Sequence, residues 1–169
     1  MSTVFSFPNP VNEVAARSVA GGVALLSLLT FLLSVAAGTG WLWLTLVLAL
    51  GFLARVLSGP TLSPLGQLAT RVIAPRIGHE NLVAGPPKHF AQAMGLTMSG
   101  AAVLLHFAFS YDRAALVVVA LIVVAATLES VFALCLGCKV FAVLMRFGWI
   151  PADTCQACNN ISLRYADAT

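Results

Sequence analysis

Long apolar runs fill most of the chain and are separated by short polar stretches. From Ser18 to Ala54 no charged residue occurs over 37 positions, whereas one helix needs only about 20 residues to cross a hydrocarbon core of about 30 Å. The run must therefore turn back once, and the pattern predicts the turn at Gly38 to Gly40. Together with two later apolar runs, the pattern predicts four membrane spans, over residues 18–37, 41–57, 90–110 and 114–138.

The connection between the second and third runs is rich in Pro and Gly. It also contains apolar residues at helical spacing, namely Leu65, Leu68, Ala69, Val72 and Ile73. They predict a short helix lying along the membrane surface. Pro86 and Pro87 are expected to end this loop and open the third span. The predicted fold is an all-α integral membrane protein, a four-transmembrane-helix bundle with an interfacial helix in the long loop and a short cytoplasmic C-terminal tail. Its predicted division is residues 1–150 for the bundle and 151–169 for the tail.

Composition supports the membrane class. The chain is 60% hydrophobic and only 9% charged, against about 25% charged residues in soluble domains. The net charge of +3 is not gathered into a basic cluster interleaved with aromatics, so nucleic acid is not an expected partner. The expected partner is the lipid bilayer.

The first apolar run is about 20 residues long, which exceeds the apolar core of a signal peptide, and it follows a segment that contains Glu13. Both features favour a helix that is retained in the mature protein.

Basic residues predict the orientation of the chain in the cell (inner) membrane. With four spans, the N-terminus, the long loop and the tail share one side, and Arg113 lies alone on the other. Because the side with more Lys and Arg faces the cytoplasm, both termini are predicted to be cytoplasmic. The residues on that side are Arg17, Arg55, Arg71, Arg76, Lys88, Lys139, Arg146 and Arg164.

Four cysteines lie toward the predicted cytoplasmic face, in two pairs. Cys135 and Cys138 form one C-x2-C pair, Cys155 and Cys158 form another, and sixteen residues separate the pairs. This spacing is typical of a zinc site. The cytoplasm is reducing, which disfavours a permanent disulfide and leaves either metal binding or thiol redox chemistry.

These two chemistries need different surroundings. A four-thiolate zinc site needs tetrahedral geometry, which Cys155 and Cys158 suit and which Gly137 would allow by unwinding the last helical turn at Cys135 and Cys138. A redox pair needs a cysteine of lowered pKa. At the C-terminal end of a 114–138 helix, Cys135 is expected to have a raised pKa instead. A third interpretation treats these cysteines as small packing residues.

Glu129 is an acid within the fourth predicted span. It lies about 24 Å along the helix from Arg113, and Arg55 lies about 21 Å from Trp41, so the two are expected at similar depth. The sequence therefore predicts a buried Glu129–Arg55 ion pair joining spans two and four. In an unbroken helix Glu129 would face away from Cys135 and Cys138, which argues against close cooperation.

His106, near the outer end of the third span, is expected to hydrogen-bond to a neighbouring helix.

Three stretches carry a family resemblance: residues 58–78, residues 85–95 and "CLGCKVF" from Cys135 to Phe141. Through them the chain resembles a family of small bacterial membrane proteins known as domain of unknown function 4395, over about Pro10 to Cys138. The family's Phe-Cys-x-Gly-Cys motif has Leu134 in place of Phe, and Thr61 stands where a basic residue is expected. The resemblance implies a tie to thiol or sulfur metabolism, because family members occur beside thioredoxin-like and sulfur-transfer genes.

Three functional hypotheses follow. In the first, Cys135 with Cys138 and Cys155 with Cys158 exchange electrons or sulfur with a thioredoxin-like partner, which the tail pair meets while the membrane pair passes reducing equivalents inward. In the second, all four cysteines bind one zinc ion in an accessory subunit of a larger membrane complex. In the third, a small-molecule carrier uses Glu129 and Arg55. Haem and quinone binding, the substrate and the oligomeric state are left open by the sequence.

Overall fold

The computed structural model describes residues 11–59, 63–77 and 82–151. A 3₁₀ turn, Thr39–Trp43, leads into the second helix, and a π-helical turn, Ala69–Ile73, joins the third to the fourth. Two short antiparallel strands, β1 (Val11–Asn12) and β2 (Leu82–Val83), tie the start of the first helix to the end of the long connection. The α-helices are α1 (Glu13–Ala37), α2 (Leu44–Ser58), α3 (Pro64–Leu68), α4 (Ala74–Ile77), α5 (Gly85–Phe107), α6 (Asp112–Phe132) and α7 (Leu136–Arg146).

Within the described residues, 4 helices are long and apolar enough to cross a membrane: Glu13–Ala37, Thr39–Ser58, Gly85–Phe107 and Asp112–Phe132. They overlap the four predicted runs, and the predicted turn is confirmed at Gly38, whose φ of 109° suits glycine. The first and third of them begin well before the predicted positions, at Glu13 and Gly85 instead of residues 18 and 90. Asn12 caps α1, its side chain accepting a 2.9 Å hydrogen bond from the Val14 amide. In α5, prolines occupy the first turn, where no amide donor is needed.

The helices pack out of chain order. Helix α1 packs mainly on α6, α2 packs on α5, and α5 packs on α6. Gly95 of α5 lets α2 come close, because a Cβ there would run into the Phe52 ring. Outward-facing positions carry exposed large side chains such as Leu25, Leu32 and Val117. The central core of the bundle is formed by Val23, Leu48, Phe52, Ile122 and Ala126.

The predicted short helix of the long loop is present as α3, the π-helical turn and α4. Its small residues Ala69 and Ala74 are buried against Ala15 and Val19 of α1. Leu68 lies on its outer side and is exposed. The loop is therefore packed along the bundle, and its position at a membrane surface stays a prediction.

The predicted end of the fourth span is wrong. Helix α6 stops at Phe132, and Ala133 takes a left-handed conformation (φ 56°, ψ 20°) that turns the chain. The amides of Ala133 and Leu134 both donate to the Leu128 carbonyl. Arg17 of α1 then donates from Nε and Nη2 to the Ser130 carbonyl, at 3.2 and 3.1 Å. These contacts satisfy carbonyls that a helix end leaves without partners, so the helix ends before the cysteines.

Candidate functional site

Cys135 begins a helix instead of ending one. It occupies the N-cap position of α7, with extended backbone (φ −79°, ψ 104°), and its Sγ accepts a 3.3 Å hydrogen bond from the Cys138 amide. Both thiols are free; Cys135 is 7% exposed and Cys138 is half-buried. The Cys138 amide, in the first helical turn, thus points toward the Cys135 sulfur, and the helix N-terminus favours negative charge there.

This placement reverses the expected direction of the Cys135 pKa. A hydrogen bond from the Cys138 thiol lowers the pKa of Cys135, and the Lys88 ammonium and the Cys138 amide act in the same direction, against burial and Glu129. The same thiol hydrogen bond, together with burial, raises the pKa of Cys138. Of the two thiols, Cys135 is therefore the one that ionises first, and the prediction that rested on a helix C-terminus is wrong.

Helix α7 lies directly against α5 at Gly137. A Cβ at Gly137 would lie 2.5 Å from both Cα and Cβ of Ala91. One turn further along α7, Phe141 is buried against Phe90, with ring centroids 5.6 Å apart. Gly137 therefore serves close helix packing, and it holds the cysteine pair next to the first turns of α5.

Glu129 has a different partner from the one predicted. Lys88 Nζ lies 2.8 Å from Glu129 Oε1, and the two side chains are only 10% and 16% exposed. The predicted Glu129–Arg55 ion pair is therefore wrong. The physical reason is the early start of α5, which carries Lys88 into the first turn of a bundle helix packed on α6.

Arg55 is 4% exposed and is held by other groups. Its Nε donates a 2.9 Å hydrogen bond to Gln92 Oε1, and its guanidinium carbon lies 4.6 Å from the centroid of the Phe52 ring. Its Nη1 has no hydrogen-bond partner within the described residues. The carrier hypothesis, which uses Glu129 and Arg55, stays a prediction.

Two cavities of about 250 Å³ each meet at Cys135. The first, here called the apolar cavity, lies among α1, α2, α5, α6 and the start of α7, and Glu129 and Gln92 are the other polar side chains on its wall. The second, the polar pocket, contains Lys88, Lys139 and Cys138 as well as Cys135. The break after α6 therefore brings Cys135 and Glu129 onto one cavity wall, although helical spacing alone argued against it.

The other predicted site residues divide into two groups. Cys155 and Cys158 lie outside the described residues, and so does Arg164. Among the residues that the structure describes, no three metal-binding side chains come together. His106 does bond to a neighbouring helix as predicted, since its Nδ1 lies 2.7 Å from Asp112 Oδ1 of α6.

Sequence reasoning missed two residues of the site, Lys88 and Gln92. Lys88 was counted as one of the cytoplasmic charges that set the orientation, yet it is 8% exposed. A usable signal was present, because Pro86 and Pro87 at a helix start put Lys88 one turn into the helix. No pattern in the sequence marked Gln92.

A sequence model described as Domain of unknown function (DUF4395) matches residues 11–146. This range includes every described residue of the site: the cysteine pair, Lys88, Glu129 and Gln92. No curated protein and no solved structure matches the chain.

Proposed function

The chain belongs to this family of unknown function, and we propose that it is an integral membrane protein of thiol–disulfide exchange whose reactive pair is Cys135 and Cys138. The observation that carries the proposal is the position of Cys135 at the N-cap of α7 with Cys138 in the first turn. A C-x2-C pair at a helix N-terminus favours a stable thiolate at its first cysteine.

The membrane setting of the proposal is supported by the four apolar helices and their exposed side chains. Correcting for the buried Arg55 and Lys88 leaves six basic residues on the side of the termini, against Arg113 on the other. The bias still favours cytoplasmic termini in the cell membrane. The cysteine pair would then open toward a soluble, cytoplasmic partner through the polar pocket.

In the proposed reaction a thioredoxin-like partner reduces the Cys135–Cys138 disulfide. The partner's thiolate attacks the Cys138 sulfur, a Cys138–partner disulfide forms, and Cys135 leaves as a thiolate. The partner's second thiolate then attacks its own sulfur in that mixed disulfide, so the partner becomes oxidised and Cys138 is released and protonated. Two electrons pass from the partner to the membrane protein.

The two cysteines suit different parts in this exchange. Cys138 is the more exposed and lines only the polar pocket of the two cavities, so it is the sulfur that a soluble protein reaches. Cys135 is the better leaving group because a thiol of lower pKa leaves faster. We further propose that in the full chain Cys155 and Cys158 can take the partner's place in this step: the partner reduces that pair, and one of its thiolates then attacks the Cys138 sulfur.

The test uses a thioredoxin that lacks its second active-site cysteine and carries a chromogenic leaving group on the first. Each variant has Cys155→Ser and Cys158→Ser, so that only the bundle cysteines remain. We expect Cys135→Ser protein to displace the leaving group and form a stable mixed disulfide through Cys138. Cys138→Ser protein should react far more slowly, because Cys135 is buried.

The opposite order of reactivity would overturn the assignment of Cys138, and no adduct with either variant would overturn the proposed exchange. The zinc hypothesis makes a separate prediction for the same preparation with all four cysteines present. About one zinc per chain, together with thiols that stay unreactive until a chelator is added, would replace thiol exchange with a structural metal site.

A further inference from the structure

The apolar cavity touches the cysteine that the soluble partner does not reach. Cys135 lies on its wall, and most of the other lining side chains are apolar. Leu121, Val124 and Leu136 belong to this wall and are also exposed on the outside of the bundle. The cavity therefore reaches the outer surface of the bundle beside these residues of α6 and α7, where lipid chains would lie.

The polar groups in the cavity lie near the cysteine and have defined roles. Arg55 only donates hydrogen bonds, so Gln92 must turn its Oε1 to Arg55, and its amide nitrogen is left to donate to a ligand. Glu129 lies on the same wall and is joined to Lys88 at 2.8 Å, which connects it to the polar pocket. A ligand that fits must therefore be mostly apolar, with a hydrogen-bond acceptor at its inner end.

We propose that the apolar cavity binds a lipid-soluble quinone, which oxidises Cys135 and Cys138 to a disulfide. The inference rests on the proposed thiol exchange and adds the acceptor to which its electrons pass. A quinone has a flat apolar ring for the cavity and a carbonyl oxygen for the Gln92 amide. Its tail would leave through the opening beside Leu121 and Val124.

The reaction balances as a transfer of two electrons and two protons. The Cys135 thiolate adds to a ring carbon of the quinone, forming a C–S bond and an enolate oxygen. The Cys138 thiol, losing its proton, attacks the Cys135 sulfur; the S–S bond forms, the C–S bond breaks, and the electron pair stays on the ring. The ring oxygens take up the proton from Cys138 and one proton from water through the Lys88–Glu129 pair, giving the quinol.

The experiment uses the full chain in phosphatidylcholine nanodiscs, reduced and then freed of reductant. A benzoquinone with a ten-carbon tail is added, quinol formation is followed by absorbance, and the thiols are counted by alkylation and mass. We expect one quinol for each Cys135–Cys138 disulfide, and none with Cys135→Ser.

A cavity-filling variant separates the quinone site from the thiol chemistry. Ala125→Phe, on the cavity wall, should slow quinol formation by at least about tenfold while the chromogenic thioredoxin still reacts with Cys138. Ala114→Phe is the matched control, since Ala114 lies exposed near the other end of the same helix, and it should react at the wild-type rate.

Three results would overturn the inference: no quinol formation while thioredoxin exchange proceeds, equal rates for Ala125→Phe and wild type, or a stable quinone adduct on Cys135 without a disulfide. Loss of both reactions in the wild type would instead overturn the proposed function. If Ala125→Phe does not fold, a photoreactive azidoquinone decides the question on the wild type. Labelling of residues that line the apolar cavity supports the inference, and labelling confined to residues outside its wall excludes it.

Discussion

An ion pair joins α5 to α6 at each end of these two helices, but the two ion pairs lie in different surroundings. At one end His106 of α5 meets Asp112 of α6, and at the other Lys88 of α5 meets Glu129 of α6. The first pair spans only six residues of sequence and its side chains are 17% and 32% exposed. The second spans 41 residues and is more deeply buried. The first pair joins the two sides of a short turn, whereas the second lies between two cavities, beside Cys135 and Cys138.

The difference lies in what surrounds each pair. Near His106 the neighbouring groups are Phe107 and the turn that begins α6. Near Lys88 the chain breaks, a second helix begins at Cys135, and Gly137 brings that helix onto α5. The buried acid Glu129 shares a cavity wall with Cys135 because its helix ends three residues later, at Phe132.

The largest expected effect comes from Lys88→Met. It leaves Glu129 buried without its cation, which should lower the free energy of unfolding by about 3–5 kcal/mol. Unfolding in detergent by urea, followed by circular dichroism, measures this. The control is the double variant Lys88→Met with Glu129→Leu, which removes both charges and should recover most of the loss. Equal losses in the single and double variants would show that the pair is not what stabilises this end.

Gly137→Ala should follow in size, with a loss of about 1–3 kcal/mol. The added methyl group meets the Ala91 backbone, so α7 must move away from α5 and carry the cysteines with it. Gly100→Ala is the matched control, because a Cβ there has open space and alanine favours the helix by up to about 1 kcal/mol. The same unfolding measurement applies, and a neutral Gly137→Ala would contradict the close approach of α7.

A smaller effect, measured as a shift along the pH axis, is expected at the thiols. Because the pKa of Cys135 is lowered by the Cys138 thiol, its alkylation by iodoacetamide should persist to lower pH than that of an ordinary thiol. Cys138→Ala removes the hydrogen-bond donor, so the pKa of Cys135 rises. As the pH is lowered, the alkylation of Cys135 should then fall off at a higher pH than in the wild type. Cys138→Ser keeps a hydroxyl donor and should lie between wild type and Cys138→Ala.

This titration is run with Cys155→Ser and Cys158→Ser present, with the modified position located by mass spectrometry. If Cys138 were alkylated at lower pH than Cys135, the order of the two pKa values would be wrong. Identical profiles for Cys138→Ala and Cys138→Ser would show that the thiol hydrogen bond is not what lowers the pKa of Cys135.

The smallest effect is expected from His106→Ala, because that pair is partly exposed and lies within a short turn. Its loss of stability should be well below that of Lys88→Met and should shrink further as salt is raised. Asp112→Asn, which keeps a hydrogen-bond acceptor, is the comparison. If His106→Ala lowered the free energy of unfolding as much as Lys88→Met does, the two ion pairs would not differ in their contribution to stability.

Much of the fold could be predicted from the sequence, because long apolar runs have few alternatives. The four long helices, the turn at Gly38 and the proline start of α5 all follow from length, charge and backbone preference. The break after Phe132 could not be predicted in this way. Ala133 takes a conformation that alanine rarely adopts, and the groups that support it, including Arg17, come from far along the chain.

The errors at the site follow from that one missed break. An unbroken helix puts Cys135 at a negative helix end and Glu129 on another face, whereas a new helix at Leu136 puts Cys135 at a positive end and beside Glu129. The ion pair was assigned to the wrong cation for a related reason, since depth along a helix does not say which neighbours pack together. The pairing of α5 with both α2 and α6 decides that.

The contact of Arg17 with the end of α6 also makes the cysteine pair depend on a distant part of the chain. The carbonyl groups that Arg17 binds lie 113 and 114 residues further along the sequence. They belong to the last turn of α6, just before the turn that leads to Cys135. The position at which α7 begins is therefore supported by α1, and the geometry of the thiol pair depends on that helix as well as on its own local sequence.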